Sequence, residues 1–189
     1  RDLTLVDLPA FGWKMAQQRQ TKESSDVSVW LALAEGAALP FIDNSFDAVC
    51  HADLLCCLVD KKSVLQACQE VLRPSKSMVF SVISVPLGLS DSDYRRALEA
   101  GPEFVASDDS YLSLLEQTGW TVLEDMNVTQ SFLQLTQNRL DTERSHQDEL
   151  LLSTEPETIK RRIIDLERRR DALADGLLRR DLFVVKSDK

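Results

Sequence analysis

Short apolar runs separated by polar punctuation set the strongest limit on what the first 85 residues can fold into. Residues 3–6 are apolar and end at Asp7. Residues 27–33 are rich in Val, Leu and Trp and end at Glu35 and Gly36. Residues 46–50 follow a loop with Pro40 and the turn-prone pair Asp43 and Asn44, and residues 78–85 are almost wholly apolar. Runs of this length and composition read as strands, and the last, apolar at nearly every position, reads as covered on both faces. Between them, residues 9–20 carry helical spacing through Phe11, Met15 and Ala16, residues 21–26 form a polar loop, and residues 63–72 place Val64, Cys68 and Val71 on one face. Pro74 stops that second helix. Strands alternating with helices predict an α/β fold, a mostly parallel Rossmann-like sheet with helices on both faces and right-handed crossovers.

The remainder is more helical. Residues 91–100 read as a short helix closed by Gly101 and Pro102. Residues 109–118 read as another, with Asp109 as N-cap and Gly119 past its end. Residues 120–124 form a strand, and residues 129 to about 152 a long helix. A second long helix begins at Thr154, where Thr154 and Glu157 have capping-box spacing and Pro156 suits the first turn. Ile159, Ile163, Leu166, Leu173 and Leu177 form its apolar stripe. A last strand, expected to run antiparallel, covers about residues 182–186. No repeat, low-complexity segment or linker divides the chain, so residues 1–189 read as one domain.

The net charge of −9 repels a phosphate backbone and argues against nucleic acid. Arg168–Arg170 and Arg179–Arg180 sit among acidic residues and read as solvated helix faces. Four cysteines and two histidines, with no C-x-x-C pair, lack metal-ligand spacing; the thiols read as buried and reduced, in a cytoplasmic protein. No apolar run approaches the ~20 residues of a membrane span, and no secretory pattern is visible. The chain opens on Arg1 and runs directly into an apolar stretch, which reads as a cut through a domain.

One stretch is more specific than any pattern of strands. Residues 34–49 read Ala34-Glu35-Gly36-Ala37-Ala38-Leu39-Pro40-Phe41-Ile42-Asp43-Asn44-Ser45-Phe46-Asp47-Ala48-Val49. This resembles class I S-adenosylmethionine-dependent methyltransferases of the small-molecule type that includes the ubiquinone-biosynthesis methyltransferases, which carry an acidic residue, then Leu-Pro-Phe, then Ser-Phe-Asp. The resemblance extends to Val71-Leu72-Arg73-Pro74 and back to Val6-Asp7-Leu8. It covers residues 3 to about 85 in detail and the rest by element order only.

The resemblance implies methyl transfer from S-adenosyl-L-methionine to a small-molecule acceptor. It makes residues 1–85 the cofactor-binding half and residues 86–189 the substrate-side half, with a helical insert at about 129–178. Asp7 would bind the ribose hydroxyls, Leu8 would pack on the adenine, and Glu35 would accept from the adenine amino group, with Gly36 and Ala37 lining the base. Cys50 and His51 would lie beside the methionine part. The chain departs from the family in lacking the glycine-rich loop and the strand before it, and in Ser75-Lys76, where two glycines are usual. A non-catalytic, methyltransferase-like interaction protein is the alternative.

Taken without the resemblance, Asp7 is either a ligand group at the carboxyl end of a strand or a cap. His51 is either a general base, by its near-neutral reference pKa, or a packing residue. Tyr94 and Tyr111 are weaker candidates for the base. Phe104, Phe132 and Leu133 either line an apolar pocket or belong to the core. Acceptor identity and oligomeric state are not encoded in any motif of the chain.

Overall fold

The computed structural model describes residues 2–8 and 28–189. The helix expected over residues 9–20, the loop at 21–26 and residue 27 of the second strand lie outside the described residues. Two strands, β1 (Asp2–Asp7) and β2 (Ser28–Leu33), pair in parallel from Asp2↔Ser28 to Asp7↔Leu33. A second sheet holds β3 (Phe46–Ala52), β4 (Leu72–Ser84), β5 (Trp120–Asn127) and β6 (Arg179–Ser187) in the order β3-β4-β6-β5. β3 and β4 run parallel, while β6 runs antiparallel to both β4 and β5. Six α-helices complete the described residues: α1 (Lys61–Val71), α2 (Asp91–Ala100), α3 (Tyr111–Gln117), α4 (Thr129–Ser145), α5 (Gln147–Leu150) and α6 (Pro156–Ala174).

The core grows from one face of the four-stranded sheet. Met78, Phe80 and Val82 alternate along β4 and are fully buried, and Phe183 and Val185 oppose them on β6. Val64, Leu65 and Cys68 of α1 and Leu114 and Leu115 of α3 belong to the same cluster. Side chains one residue out of phase project to the opposite face. There Val79 stays 38% exposed, so the run at 78–85 is not fully covered on its second face as its composition predicted.

Local rules explain most boundaries. Asp60 caps α1 by accepting the Ser63 N–H at 3.0 Å. Ser90 caps α2 by accepting the Asp93 N–H at 3.2 Å. For α3 the cap is Ser110, accepting from the Ser113 N–H at 3.1 Å, not Asp109. The expected Thr154–Glu157 capping box does not form; Glu155 is the N-cap of α6, without a side-chain bond, and Pro156 occupies the first turn. The long helix predicted to run to residue 152 breaks at His146 into α4 and α5.

β4 begins at once after α1, and between its pairs Phe46↔Leu72 and Ala48↔Ser77 the extra residues bulge outward. Pro74, which has no N–H to donate, and Ser75, at φ 62°, account for the interruption.

Candidate functional site

The residues singled out near the start meet at the carboxyl ends of β1 and β2. Register brings Asp7 opposite Leu33, and the Asp7 carbonyl accepts the Ala34 N–H at 3.3 Å. Glu35, Gly36 and Ala37 follow directly, in a turn closed by the Ala38 N–H on the Glu35 carbonyl at 3.0 Å. The Asp7 carboxylate accepts the Leu8 N–H through Oδ1 at 2.8 Å. No ion pair engages Asp7 or Glu35 among the described residues, and Leu8 is 53% exposed. Gly36 packs toward Leu54 and Val64, where an added methyl would sit 3.5–3.7 Å from their side chains. The turn is therefore tied to the segment that follows β3.

Along β3 the side chains alternate. Cys50 is exposed. His51 lies on the core face, where its ring stacks on Phe80 at 4.9 Å and Phe80 stacks on Phe183 at 5.2 Å. The register His51↔Phe80↔Phe183 makes this one aromatic row across three strands. Both ring nitrogens are shut off from solvent without a hydrogen-bond partner, and burial pushes the imidazole down to about 4. The ring is neutral at neutral pH, and its geometry gives it packing partners only.

Past the end of β3 lies a network that the sequence reading did not contain. Asp53 has φ 53°, in the left-handed region. Its N–H donates to the Ser81 carbonyl at 2.8 Å, and its Oδ1 accepts from Arg180 Nε at 3.0 Å and from Ser81 Oγ at 3.4 Å. Arg180 Nη2 donates to Ser81 Oγ at 2.8 Å, and the guanidinium lies 4.5 Å over the Phe132 ring. The Arg180 backbone is held as well: its N–H donates to Thr129 Oγ1 at 3.0 Å and its carbonyl accepts the Val128 N–H at 2.9 Å. Its sequence neighbours place Arg180 on a solvated helix face. It lies on β6 instead, and its side chain is only 19% exposed. No local signal marks this pair, because 127 residues separate its members.

The insert after β4 reaches back to the segment that follows β3. Lys61 is buried, and its ammonium donates to the carbonyls of Leu58, Phe104 and Ala106 at 3.1, 2.9 and 3.4 Å. The Phe104 N–H donates to the Cys56 carbonyl at 3.2 Å. Tyr111 is buried with its hydroxyl unpartnered, and burial pushes its pKa up; Tyr94 is 42% exposed. Phe132 and Leu133 pack against the core. Burial pushes the Cys56 and Cys68 thiols up to about 12, which keeps them protonated; Cys57, like Cys50, is exposed, against the expectation of uniformly buried thiols. Among the described residues no cluster of ligand-type side chains fits a metal ion, and no helix is long and apolar enough to cross a membrane.

Comparison with known proteins bears on the fold and on the first 80 residues. Residues 1–80 match the sequence family described as a methyltransferase domain. Over 81 residues the chain is 36% identical to demethylmenaquinone methyltransferase of Lactiplantibacillus plantarum; the match spans 43% of this chain and 34% of that protein, about a third of the curated relative's length. A candidate sarcosine dimethylglycine methyltransferase from Galdieria sulphuraria superposes with a TM-score of 0.81 at 20% identity, covering 100% of this chain and 71% of that one. Phosphoethanolamine N-methyltransferase 2 of Haemonchus contortus, in complex with phosphomonomethylethanolamine and S-adenosylhomocysteine, superposes at 0.83 with 16% identity, covering 98% of this chain and 44% of that one. The fold is the Rossmann-like α/β fold of class I methyltransferases.

Proposed function

We propose that this chain, with the class I methyltransferase fold and a methyltransferase-domain match over its first 80 residues, carries most of the site of an S-adenosylmethionine-dependent methyltransferase acting on a small molecule. The observation that supports it best is the meeting of Asp7 with the Glu35–Ala37 turn at the carboxyl ends of two parallel strands. Ligands of open α/β sheets lie in the crevice outside those ends. Two carboxylates without ion pairs among the described residues, one exposed leucine and a turn of small residues fit a nucleoside: acceptors for hydroxyl and amino donors, and an apolar surface for the base.

When bound, S-adenosylmethionine supplies a methyl group already activated on a sulfonium sulfur, so the protein's task is alignment. Asp7 Oδ1 is engaged by the Leu8 N–H, which leaves Oδ2 for the ribose hydroxyls. Leu8 packs on the adenine and Glu35 accepts from its amino group, while Gly36 and Ala37 leave room for the ring. Cys50 and His51, on opposite faces of β3, would flank the methionine part. Half-buried, with both ring nitrogens shut off from solvent and held neutral, His51 serves there as a packing surface and carries no proton.

Calorimetric titration of S-adenosylhomocysteine tests this, on the chain itself and on a longer polypeptide extended at its amino side. Asp7→Ala is expected to weaken binding by about 1–3 kcal/mol, the loss of a charged hydrogen-bond acceptor. Unchanged affinity in a folded Asp7→Ala protein removes the ribose assignment. Absence of binding in both folded polypeptides favours a non-catalytic protein of the same fold.

A further inference from the structure

We propose that Asp53 and Arg180 together bind the methyl acceptor, and that this acceptor is a small molecule carrying an N–H beside an anionic oxygen, as an amino acid or small zwitterion does. The inference rests on the methyl-transfer reading above. Its basis is what each side chain of the pair has left over.

Asp53 spends Oδ1 on Arg180 and Ser81, and no bond within the described residues takes Oδ2. Arg180 spends Nε on Asp53 and Nη2 on Ser81, and no bond among the described residues takes Nη1. Among the described residues, neither atom is a buried polar atom that lacks a partner. The side chains themselves are largely enclosed, at 26% and 19% exposure. One acceptor and one donor are thus left over, on a carboxylate and a guanidinium held in place by each other and by Ser81, in a pair with no net charge. A ligand offering a donor and an anionic oxygen together matches both; a simple cation or a simple anion leaves one of them unmatched.

Three features distinguish the pair from a surface ion bridge. Ser81 fixes both members, donating to one and accepting from the other. Phe132 backs the guanidinium, and Thr129 and Val128 hold the Arg180 backbone. The Asp53 backbone, left-handed directly after β3, is held by its N–H on the Ser81 carbonyl at 2.8 Å. The pair lies past the carboxyl end of β3 and beside β4, where the crevice of a parallel sheet receives its ligand. Asp53 and Arg180 are the binding residues; Ser81 and Phe132 are positioning residues.

The test follows the Arg180 Nε–H signal of arginine-labelled protein by NMR, assigned with Arg180→Lys, during titration with sarcosine and with phosphoethanolamine. Acetate and ethylammonium serve as half-ligands. At least one zwitterion is expected to move the signal saturably, and neither half-ligand is expected to match it. Asp53→Asn keeps a residue tolerant of the left-handed backbone and is expected to weaken that binding by about ten- to a hundredfold.

Saturating S-adenosylhomocysteine, which carries its own amino-acid group, is expected to leave the zwitterion response in place. Competition between the two assigns the pair to the cofactor and overturns the proposal. An unmoved Arg180 signal, or full binding by folded Asp53→Asn, also overturns it, even where S-adenosylhomocysteine binds normally. A zwitterion response in protein that does not bind S-adenosylhomocysteine leaves the binding pair standing and sinks the methyl-transfer reading.

Discussion

His51 makes the stability of this protein depend on pH in a way that its ring geometry fixes. The imidazole stacks on Phe80, and both its nitrogens are closed off without partners. Charging it would place an unpaired cation in the core, which is why burial lowers its pKa from 6.5 to about 4. The folded state therefore binds fewer protons than the unfolded chain between those two values. Stability from this residue is fully present above pH 6.5, is lost as pH falls through the window, and levels off below about 4. Each unit of pH within the window costs about 1.4 kcal/mol, so His51 alone should remove about 2–3 kcal/mol between pH 7 and pH 4.5. The assay is urea unfolding at both pH values for the natural protein and for His51→Phe. Phenylalanine keeps the aromatic row and cannot titrate. Comparing each protein with itself cancels the change in packing at neutral pH and the titration common to both. The stability drop in His51→Phe should be smaller by about 2 kcal/mol, allowing for partial relaxation around the charged ring. Equal drops in the two proteins refute the reasoning.

The other expectations concern positions where geometry decides the sign. A methyl group at Gly101 would meet Val105 Cγ1 at 2.7 Å and the Ala97 carbonyl at 3.1 Å. Gly101→Ala should therefore destabilise by about 1–3 kcal/mol, less a few tenths for the stiffer unfolded chain; restoration by Val105→Ala beyond additivity, in urea midpoints, checks the contact. Ser75 holds φ 62° with an exposed side chain, so Ser75→Gly should stabilise by about 1 kcal/mol in thermal unfolding. Glu143 is buried between α4 and α6, paired with Arg162 through one oxygen and unpartnered at the other. Glu143→Met should be neutral or stabilising by up to about 1 kcal/mol, whereas Glu143→Ala, which leaves a cavity, should cost about 1–3 kcal/mol; denaturant midpoints of the two variants separate these outcomes.

How much of the fold is legible depends on where its cause lies along the chain. The run at residues 46–50 and the helix at 63–72 are read correctly within two residues because apolar periodicity and a local stop produce them. The antiparallel last strand is also correct, though its true extent, Arg179–Ser187, exceeds the apolar stretch. Its flanks carry charge because Arg179 and Asp181 bond to each other while Arg180 reaches Asp53. Caps are less legible where candidates compete. Asp109 and Ser110 are adjacent, both suited to the role, and only the backbone decides that Ser110 receives the Ser113 N–H. The break at His146 has no proline or glycine to announce it; there the ring nitrogen Nδ1 and the backbone N–H both lie about 3.1 Å from the Thr142 carbonyl.

The site divides along the same line. Asp7, Leu8 and the Glu35–Ala37 turn stand near one another because β1 and β2 are parallel neighbours, and parallel pairing sets strand ends side by side whatever the residues between them do. A motif read along the chain is then also a cluster in space. Asp53 and Arg180 meet for a different reason. β3 ends where β6 begins because β6 runs antiparallel to β4, so the amino end of one strand reaches the carboxyl ends of two others. That reversal brings Ile83 opposite Arg180 and leaves the arginine one strand from Asp53. Periodicity tells that residues 182–186 form a strand but not which way it runs beside β4, and in the opposite direction Lys186, not Arg180, would approach the same end. The charge that faces Asp53 is thus chosen by topology, and a reading from residues alone sees it as surface.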